Sequence, residues 1–452
     1  MKNFLVLLVV FSLFSCGNSE SEKINYAILK GKITNPTANK IIVFKGQNNS
    51  KEITLDQQGQ FNDTLYFEKG FYTLRHGNEA TKIYLEPEYD LNVTLDTKAF
   101  DETIKYSGNG SHHNNYIAAS FINNETEKLS YYPLYTKEED EFVSAAQKLK
   151  ETKLSFLNKR DSLSDDFKNN EKKNIEFEYF LSLKRFPSYH KYYTKKEVFE
   201  PSENFKDYFK DFDYLNEADY LNVENYKNLV LYHFNEKINT AKDKKKEIEN
   251  INKTAFQSLK NDLAVNMSFS LAPNNEDNSL FFEAITMLSN DNEFKDKIKK
   301  KFSTIETLAT GKPSPEFTNY ENHKGGTTSL KDLSGKYVYM DVWATWCGPC
   351  LREIPFLKQT EEKYHNQNIE FVSISIDTPQ AYETWKKMVT DKELGGIQLL
   401  ADNDWKSKFV TDYAIEGIPR FILIDPQGHI VDANAPRPSD PELVKLLDGL
   451  NI

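Results

Sequence analysis

The spacing of apolar and polar positions divides the chain into three parts. From Ile24 to about Tyr106, short apolar runs are separated by turn signals such as Asn35-Pro36 and Gln58-Gly59. This spacing is typical of β-sandwich strands. We therefore predict an all-β, sandwich-like domain over residues 25–107, which serves as a spacer or docking module. The expected strands are Tyr26–Ile33, Ile41–Phe44, Phe61–Phe67, Phe71–Arg75, Ile83–Leu85 and Leu91–Leu95.

The middle part is free of glycine. The chain has 18 glycines, and none lies between Gly110 and Gly311. Long stretches without helix breakers favour helices. Glu139–Asn158 and Lys242–Leu263 also carry apolar residues at helical spacing. These features predict a central α-helical domain over residues 114–308, in which the many Tyr and Phe residues form the core. A partner groove lined by these aromatic residues is the alternative.

The last part alternates strands and helices from Gly311 onwards. Its apolar, β-rich segment Tyr337–Trp343 predicts a buried strand. The pattern indicates an α/β domain over residues 311–452. The other expected elements are a strand at Glu370–Asp377, a helix at Ala381–Met388, a strand at Ile430-Val431 and a helix at Pro441–Leu450.

The N-terminus has the pattern of an export signal. Met1-Lys2-Asn3 is basic, and Phe4–Phe14 is apolar but too short to span a bilayer as a helix. The small residue before Cys16 resembles a bacterial lipoprotein signal. We expect a signal peptide over 1–15, a lipidated Cys16 and a tether over 16–24. An ordinary secretory signal is the alternative.

Export would place the protein in the cell envelope, held by lipid and facing the periplasm. No other segment is long and apolar enough to span the membrane. Gly17 is not the acidic residue that retains some lipoproteins at the inner membrane, so the outer membrane is the preferred location.

The net charge of the chain argues against one class of partner, nucleic acid. The chain has 57 Lys and Arg against 68 Asp and Glu, a net charge of −11. Nucleic acid is bound through basic surfaces, so we expect no nucleic-acid partner. The runs Lys244–Lys246 and Lys299–Lys301 have acids nearby, and we interpret them as solvated faces. The 8 histidines are scattered, and His112-His113 lies in a segment that predicts a loop.

The chemistry of the chain is concentrated in Trp346-Cys347-Gly348-Pro349-Cys350. The chain has 3 cysteines, so a lipidated Cys16 leaves one thiol pair. Neither a second CxxC nor a close Cys/His cluster exists to complete a zinc site, and we expect no metal and no cofactor. Cys347 opens a predicted helix, where the unpaired N–H groups favour its thiolate, and Cys350 is the expected shielded partner. A redox-active pair is our interpretation; a structural disulfide is the alternative.

The sequence from about Gly311 to the end resembles a thioredoxin fold of the TlpA/ResA type. WCGPC is the thioredoxin active-site sequence. Asp341, six residues before Cys347, matches the buried acid that shuttles a proton to the second cysteine. Glu353 and Pro355 match the CxxCxxExP pattern of the ResA-like branch. The β-domain likewise resembles the one that precedes thioredoxin modules in envelope lipoproteins of Bacteroidetes type.

A second stretch carries the same resemblance. Gly417-Ile418-Pro419, followed by Phe421–Asp425, matches the cis-proline loop and its strand. The resemblance implies that Pro419 packs beside the disulfide and that Ile418 contacts the substrate, with Trp346 as a surface platform next to the thiol. Arg420 replaces the commoner small polar residue, which puts partner preference in doubt.

Each of these residues has a plainer interpretation. Asp341 at a sheet edge would point into solvent, and Glu353 would be an exposed helix acid. Pro419 would be a trans turn proline, since X–Pro bonds are cis in only about 5–6% of cases in folded proteins. Trp346 would be core filler. The sequence leaves open whether Asp341 or Glu353 accepts the proton of Cys350.

The resulting hypothesis is an envelope thiol–disulfide oxidoreductase. It would reduce disulfides of exported proteins through a mixed disulfide with Cys347 that Cys350 resolves. A membrane-bound electron donor would then regenerate the dithiol. The alternatives are a disulfide oxidase or isomerase, a non-enzymatic redox-sensing or binding lipoprotein, and a peroxiredoxin-like peroxidase. The last requires Thr or Ser three residues before the reactive cysteine, where this chain has Ala344.

Overall fold

The computed structural model describes residues 25–45, 49–450 and 452. The predicted signal peptide, the tether and Cys16 lie outside the described residues. The chain divides into two compact units between Val230 and Leu231. This point lies inside one helix, Glu224–Thr240. The division into domains at 25–107, 114–308 and 311–452 stays a prediction.

The first unit begins with two four-stranded sheets. The strands are β1 Ala27–Thr34, β2 Lys40–Lys45, β3 Asn49–Thr54, β4 Gln60–Leu65, β5 Gly70–His76, β6 Glu79–Leu85, β7 Asp90–Asp96 and β8 Lys105–Gly108. Their orders in the two sheets are β4-β1-β7-β8 and β3-β2-β5-β6. β1 and β7 run parallel, and Gly31 allows their close approach, because a Cβ at this position would lie 2.0 Å from the carbonyl oxygen of Val93.

The two sheets enclose one apolar core. Leu29 and Leu91 of one sheet share a buried cluster with Ile41 and Ile83 of the other. The expected all-β, sandwich-like fold is thus confirmed. The sequence pattern missed β3 and β8, which lie at sheet edges and carry mostly polar residues. Edge strands are commonly polar because this discourages pairing with other chains.

One short helix, α1 Phe100–Thr103, lies between β7 and β8. The helices that follow the sandwich in the first unit are α2 Ser111–Thr126, α3 Glu139–Asn158, α4 Asp165–Thr194, α5 Glu203–Lys206 and α6 Glu217–Asn222. The predicted loop at His112-His113 is wrong, since both residues lie in the first turn of α2. The side chain of Asn114 connects this turn to β6 through two hydrogen bonds with the backbone of Tyr84. Its Oδ1 accepts from the N–H at 2.8 Å, and its Nδ2 donates to the carbonyl oxygen at 2.9 Å. Phe142 and Phe186 stack in a buried core, as expected for aromatic residues at helical spacing.

The second unit contains five longer helices before its sheet. They are α7 Glu224–Thr240, which begins in the first unit, α8 Lys244–Thr254, α9 Gln257–Ser268, α10 Asn278–Leu288 and α11 Asn292–Thr307. The expected helical stretch Lys242–Leu263 is therefore two helices, separated where Ala255 and Phe256 are extended. The solvated-face interpretation is wrong for Lys301. Its side chain is only 12% exposed, and its Nζ donates to the carbonyl oxygen of Ser268 at 3.0 Å.

The rest of the second unit is an α/β fold around a seven-stranded sheet. The strands are β9 Tyr320–Asn322, β10 Thr327–Thr328, β11 Tyr337–Trp343, β12 Ile369–Ser375, β13 Ile397–Leu400, β14 Arg420–Ile424 and β15 Ile430–Asp432, and the helices are α12 Gly348–Lys363, α13 Tyr382–Asp391, α14 Lys408–Asp412 and α15 Pro441–Asp448. The strand order is β10-β9-β13-β12-β11-β14-β15. β11 lies inside the sheet, parallel to β12 and antiparallel to β14. This confirms the predicted thioredoxin-like α/β fold.

No helix in the described part of the chain is long and apolar enough to cross a membrane.

Candidate active site

Cys347 and Cys350 form a disulfide at the start of α12. Cys347 is the N-cap residue, and its Sγ accepts a hydrogen bond of 3.1 Å from the backbone N–H of Cys350. The first N–H groups of a helix have no partner within it, and they favour negative charge at this position. Both cysteines are buried, at 3% and 4% exposure, so in the disulfide form Cys350 is no better shielded than Cys347.

The turn that leads to Cys347 is held by Asp377. This buried carboxylate accepts hydrogen bonds from the backbone N–H of Thr345 at 2.9 Å and from the Thr345 hydroxyl at 2.8 Å. The hydroxyl of Ser375 donates a third bond of 2.8 Å. The sequence analysis missed this role. The available signal was an acid at the end of the predicted strand Glu370–Asp377, at the edge where the cysteine loop also leaves the sheet.

Asp341 lies in the middle of β11 and is buried, which excludes the solvent-exposed interpretation. Its Oδ1 accepts a hydrogen bond of 2.6 Å from the hydroxyl of Ser373 on β12. Burial raises the pKa of Asp341 to about 7, and the bond from Ser373 opposes this rise. Burial disfavours the charged form of a carboxylic acid, so the proton is held to near-neutral pH.

One small cavity joins Asp341 to the redox pair. It has a volume of about 20 Å³, and Asp341, Cys350 and Ser373 all contribute to its wall. Glu361 of α12 lines it as well, and burial raises the pKa of this residue to about 7. The sequence analysis did not single out Glu361. The other lining residues are Trp343, Ile354, Leu357, Lys358, Leu394, Gly395 and Gln398.

Glu353 is buried but does not line this cavity. Its two carboxylate oxygens accept hydrogen bonds of 2.9 Å from the backbone N–H and the hydroxyl of Ser439. Arg437 lies 3.7 Å from the same carboxylate. The exposed-acid interpretation is therefore wrong. The structure brings Asp341, and not Glu353, to the cavity beside Cys350, and the catalytic role of Glu353 stays a prediction.

The predicted docking residues are Trp346, Ile418 and Pro419. Trp346 is 59% exposed and its ring lies 6.4 Å from that of Trp405, so it is not core filler. The bond between Ile418 and Pro419 is cis, as the resemblance implied. Ile418 packs against the apolar cluster that contains both cysteines. The substrate-binding roles of these residues stay predictions.

Arg420 follows the cis-proline and turns toward Asn434, to which its guanidinium donates a hydrogen bond of 2.9 Å. Burial lowers the pKa of Arg420.

Within the residues that the structure describes, no group of three His, Cys, Asp or Glu side chains is placed to hold a metal ion.

Comparisons with known proteins match the part of the chain that contains these residues. The sequence model of the Redoxin family matches residues 309–447. The thiol-disulfide oxidoreductase ResA of a Bacillus cereus strain is 30% identical over 132 residues, which cover 29% of this chain and 72% of that protein. ResA of Bacillus subtilis (strain 168) is 27% identical over 131 residues, covering 29% of this chain and 69% of that protein.

A solved structure is similar over nearly the same share of the chain. It is the thioredoxin domain of a thiol-disulfide oxidoreductase from Bacteroides vulgatus, with 30% identity and a TM-score of 0.29. The match covers 32% of this chain and 99% of that one. The Redoxin match begins at residue 309 and leaves the sandwich and the helices up to α11 outside it.

Proposed function

Because this chain belongs to the ResA-like family of thiol–disulfide oxidoreductases, we propose that it reduces disulfide bonds of exported proteins through Cys347 and Cys350. The proposal rests on two features that occur together at this site. Cys347 is the N-cap of a helix, and Cys350 shares a cavity with a buried acid whose pKa is raised to about 7.

The reaction proceeds in two exchanges. The thiolate of Cys347 attacks one sulfur of the substrate disulfide, which forms a mixed disulfide and releases the other substrate sulfur as a thiolate. Cys350 then loses its proton and attacks the sulfur of Cys347. The mixed disulfide breaks, the second substrate thiolate leaves, and the Cys347–Cys350 disulfide forms. Two electrons pass to the substrate, whose two thiolates take up protons.

Asp341 is the proposed base for the second exchange. A thiol attacks as its thiolate, so Cys350 must be deprotonated before it resolves the mixed disulfide. General bases work best when their pKa lies near the operating pH, and the pKa of Asp341 is about 7. The cavity gives this carboxylate access to Cys350 inside an otherwise packed core.

Substrate docking uses the exposed ring of Trp346 and the loop of Ile418 and Pro419. Trp346 is the neighbour of the attacking cysteine, and aromatic side chains supply large contact area at low entropic cost. Ile418 packs on the apolar cluster that contains both cysteines, and in this proposal a peptide bound to its backbone lies beside the disulfide.

The location and the electron supply complete the proposal. Cys16 carries a lipid that holds the protein in the cell envelope, on the periplasmic side and preferably at the outer membrane. A membrane-bound electron donor returns the oxidised pair to the dithiol. Replacing Cys16 with Ala is expected to move the protein from the membrane fraction to the soluble fraction; retention in the membrane would exclude the lipid anchor.

Trapping of the mixed disulfide tests the mechanism. The background is the full chain with Cys16→Ser, which leaves only the CxxC pair. Cys350→Ser is expected to accumulate a covalent adduct with a disulfide-containing protein such as insulin, and reductant should release it. Cys347→Ser should form none and should lose insulin reductase activity. If Cys347→Ser reduces insulin at the rate of the parent chain, the proposed function is wrong.

A further inference from the structure

Helix α12 places a second acid at the cavity. Glu361 lies about three helical turns after Cys350 on the same helix, and both residues line the cavity with Asp341. Its carboxylate is held against two glycines. A Cβ on Gly395 would lie 2.0 Å from Oε2 of Glu361, and one on Gly396 would lie 3.1 Å from Oε1. The glycines therefore make room for the carboxylate at this position.

Two residues of the cavity wall, Trp343 and Gln398, each carry a buried polar atom without a protein partner. Nε1 of Trp343 and Oε1 of Gln398 are buried and form no hydrogen bond with another group of the described chain. The amide nitrogen of Gln398 is fixed by the carbonyl oxygen of Gly395 at 2.8 Å. Buried polar groups are nearly always satisfied by protein or water. One donor and one acceptor thus remain for a solvent molecule.

The volume fits such a molecule. A cavity needs about 10–15 Å³ of space to hold a water, which also requires two to four polar partners. The cavity has about 20 Å³, and its wall offers the indole of Trp343, the amide of Gln398 and the carboxylates of Asp341 and Glu361. A single water can therefore connect the two acids.

We propose that Glu361 is the second proton carrier of this site, exchanging a proton with Asp341 through a water in the cavity and delivering it to solvent. Glu361 is partly exposed, whereas Asp341 is buried. In this proposal Glu361 acts through Asp341 and not directly on the sulfur atoms, so we describe it as a positioning residue. The kinetic part of this inference rests on the proposed function.

Protons and electrons balance in the second exchange. The thiol proton of Cys350 passes to the Asp341 carboxylate, and the sulfur attacks Cys347. Asp341 gives its proton to the Glu361 carboxylate through the water, and Glu361 releases it to solvent. The departing substrate thiolate takes a proton from solvent. Both acids return to their starting state, and only the sulfur atoms exchange electrons.

The charges around the cavity support this coupling. Burial raises the pKa of both acids to about 7, and the charge of Glu361 contributes to the raised pKa of Asp341. Lys358 and Lys324 lower the pKa of Glu361, in opposition to burial. The ionisation of Glu361 therefore affects the titration of Asp341. With both pKa values near 7, each acid can hold or release a proton near neutral pH.

Three variants of the full chain with Cys16→Ser test the proposal. Glu361→Gln removes the carrier. Gly395→Ala displaces the carboxylate while leaving it in the chain. Glu362→Gln is the matched control, since Glu362 is the exposed neighbour on the same helix. The rate of insulin reduction from about pH 5.5 to about pH 8.5, a range that brackets the catalytic ionisations, is measured for each, together with the thermal unfolding midpoint.

Glu361→Gln is expected to slow reduction by about threefold to tenfold near pH 7, a fraction of what direct general bases contribute, and to remove one of two ionisations from the pH profile. Gly395→Ala should change the profile in the same direction, and Glu362→Gln should match the parent. A profile of Glu361→Gln that superimposes on the parent profile would overturn the proposal. An unchanged profile together with a lowered unfolding midpoint would show a structural role only.

A titration that needs no activity separates this inference from the proposed function. Carboxyl carbon chemical shifts report the ionisation of Asp341 directly. Glu361→Gln should lower the apparent pKa of Asp341, because a neighbouring negative charge is removed, and Glu362→Gln should not. If the parent chain fails to reduce insulin, the proposed function is wrong, and this titration still decides the coupling. An unchanged Asp341 titration in Glu361→Gln rejects the proton carrier.

Discussion

Asp377 holds the backbone N–H and the hydroxyl of Thr345 at 2.9 and 2.8 Å. Thr345 lies two residues before Cys347, so this pair of bonds fixes the turn that presents the attacking sulfur. The carboxylate is buried just after the end of β12, beyond the reach of solvent. The position of the reactive cysteine thus depends on an acid that follows the neighbouring strand β12.

Replacing Asp377 with Ala is expected to leave buried donors of Thr345 and Ser375 without a partner. Each such group costs about 1–3 kcal/mol, so the unfolding free energy should fall by at least that amount. The insulin reduction rate should fall as well, because the turn loses its support. Asp377→Asn keeps one acceptor oxygen and should show a smaller loss. Urea unfolding of both variants checks this, and equal stabilities of Ala variant and parent would contradict it.

Stability should depend on pH through Asp341. Its pKa rises from an ordinary 3.8 to about 7 on folding, so between these values the folded state binds more protons than the unfolded state. The contribution of Asp341 to stability is therefore greatest below about pH 4 and declines as the pH rises to about 7. The decline is at most about 4 kcal/mol, at about 1.36 kcal/mol for each pH unit.

Asp341→Asn removes this dependence. The variant should gain stability over the parent at about pH 8 and lose that advantage at about pH 4.5, while the rate of the second exchange falls. Chemical unfolding of the oxidised proteins at the two pH values measures the difference, with Glu362→Gln as the exposed-acid control. An advantage of the same size at both pH values would mean that Asp341 is ionised throughout.

Helix α11 supports the loop of the cis-proline. Lys301 donates to Oε2 of Glu416 at 2.6 Å, and Glu416 lies two residues before Ile418. Lys301→Met removes this ion pair and should make the loop of the cis-proline more mobile. Because Glu416 is half exposed, the pair is worth about 1 kcal/mol or less, which corresponds to a rise in KM of up to about fivefold.

The rise in KM should appear with insulin and be absent with a small disulfide such as oxidised glutathione, with kcat unchanged. Lys300→Met is the matched control, since Lys300 is exposed in the same lysine run. Identical KM values for Lys301→Met and Lys300→Met with insulin would show that the contact with Glu416 does not affect substrate binding.

Local patterns predicted much of the fold. Short apolar runs located the strands of the sandwich, and the alternation of strand and helix located the α/β domain. The CxxC sequence and its flanks identified the site, because the helix start and Asp341 lie close to the cysteines and Pro419 lies in a recognisable loop. Polar edge strands such as β3, and helix breaks such as that at Ala255, depend on tertiary contacts that no short pattern contains.

The site residues that the sequence analysis missed are distant from the cysteines along the chain. Glu361 lies at the cavity only because α12 continues for about three turns after Cys350, and its carboxylate is partly buried only because Gly395 and Gly396 approach it. Asp377 meets Thr345 because β11 and β12 are parallel and end at the same edge. Neither relationship is visible as spacing along the chain.

The equilibrium reduction potential of the Cys347/Cys350 pair tests the central claim most directly. It is measured on the full chain with Cys16→Ser, by equilibration with glutathione or dithiothreitol buffers. Our account predicts a value close to that of thioredoxin, about −250 mV or lower, as a disulfide reductant requires. A value of about −150 mV or higher, toward that of DsbA, would contradict the account and indicate a protein that forms or rearranges disulfides.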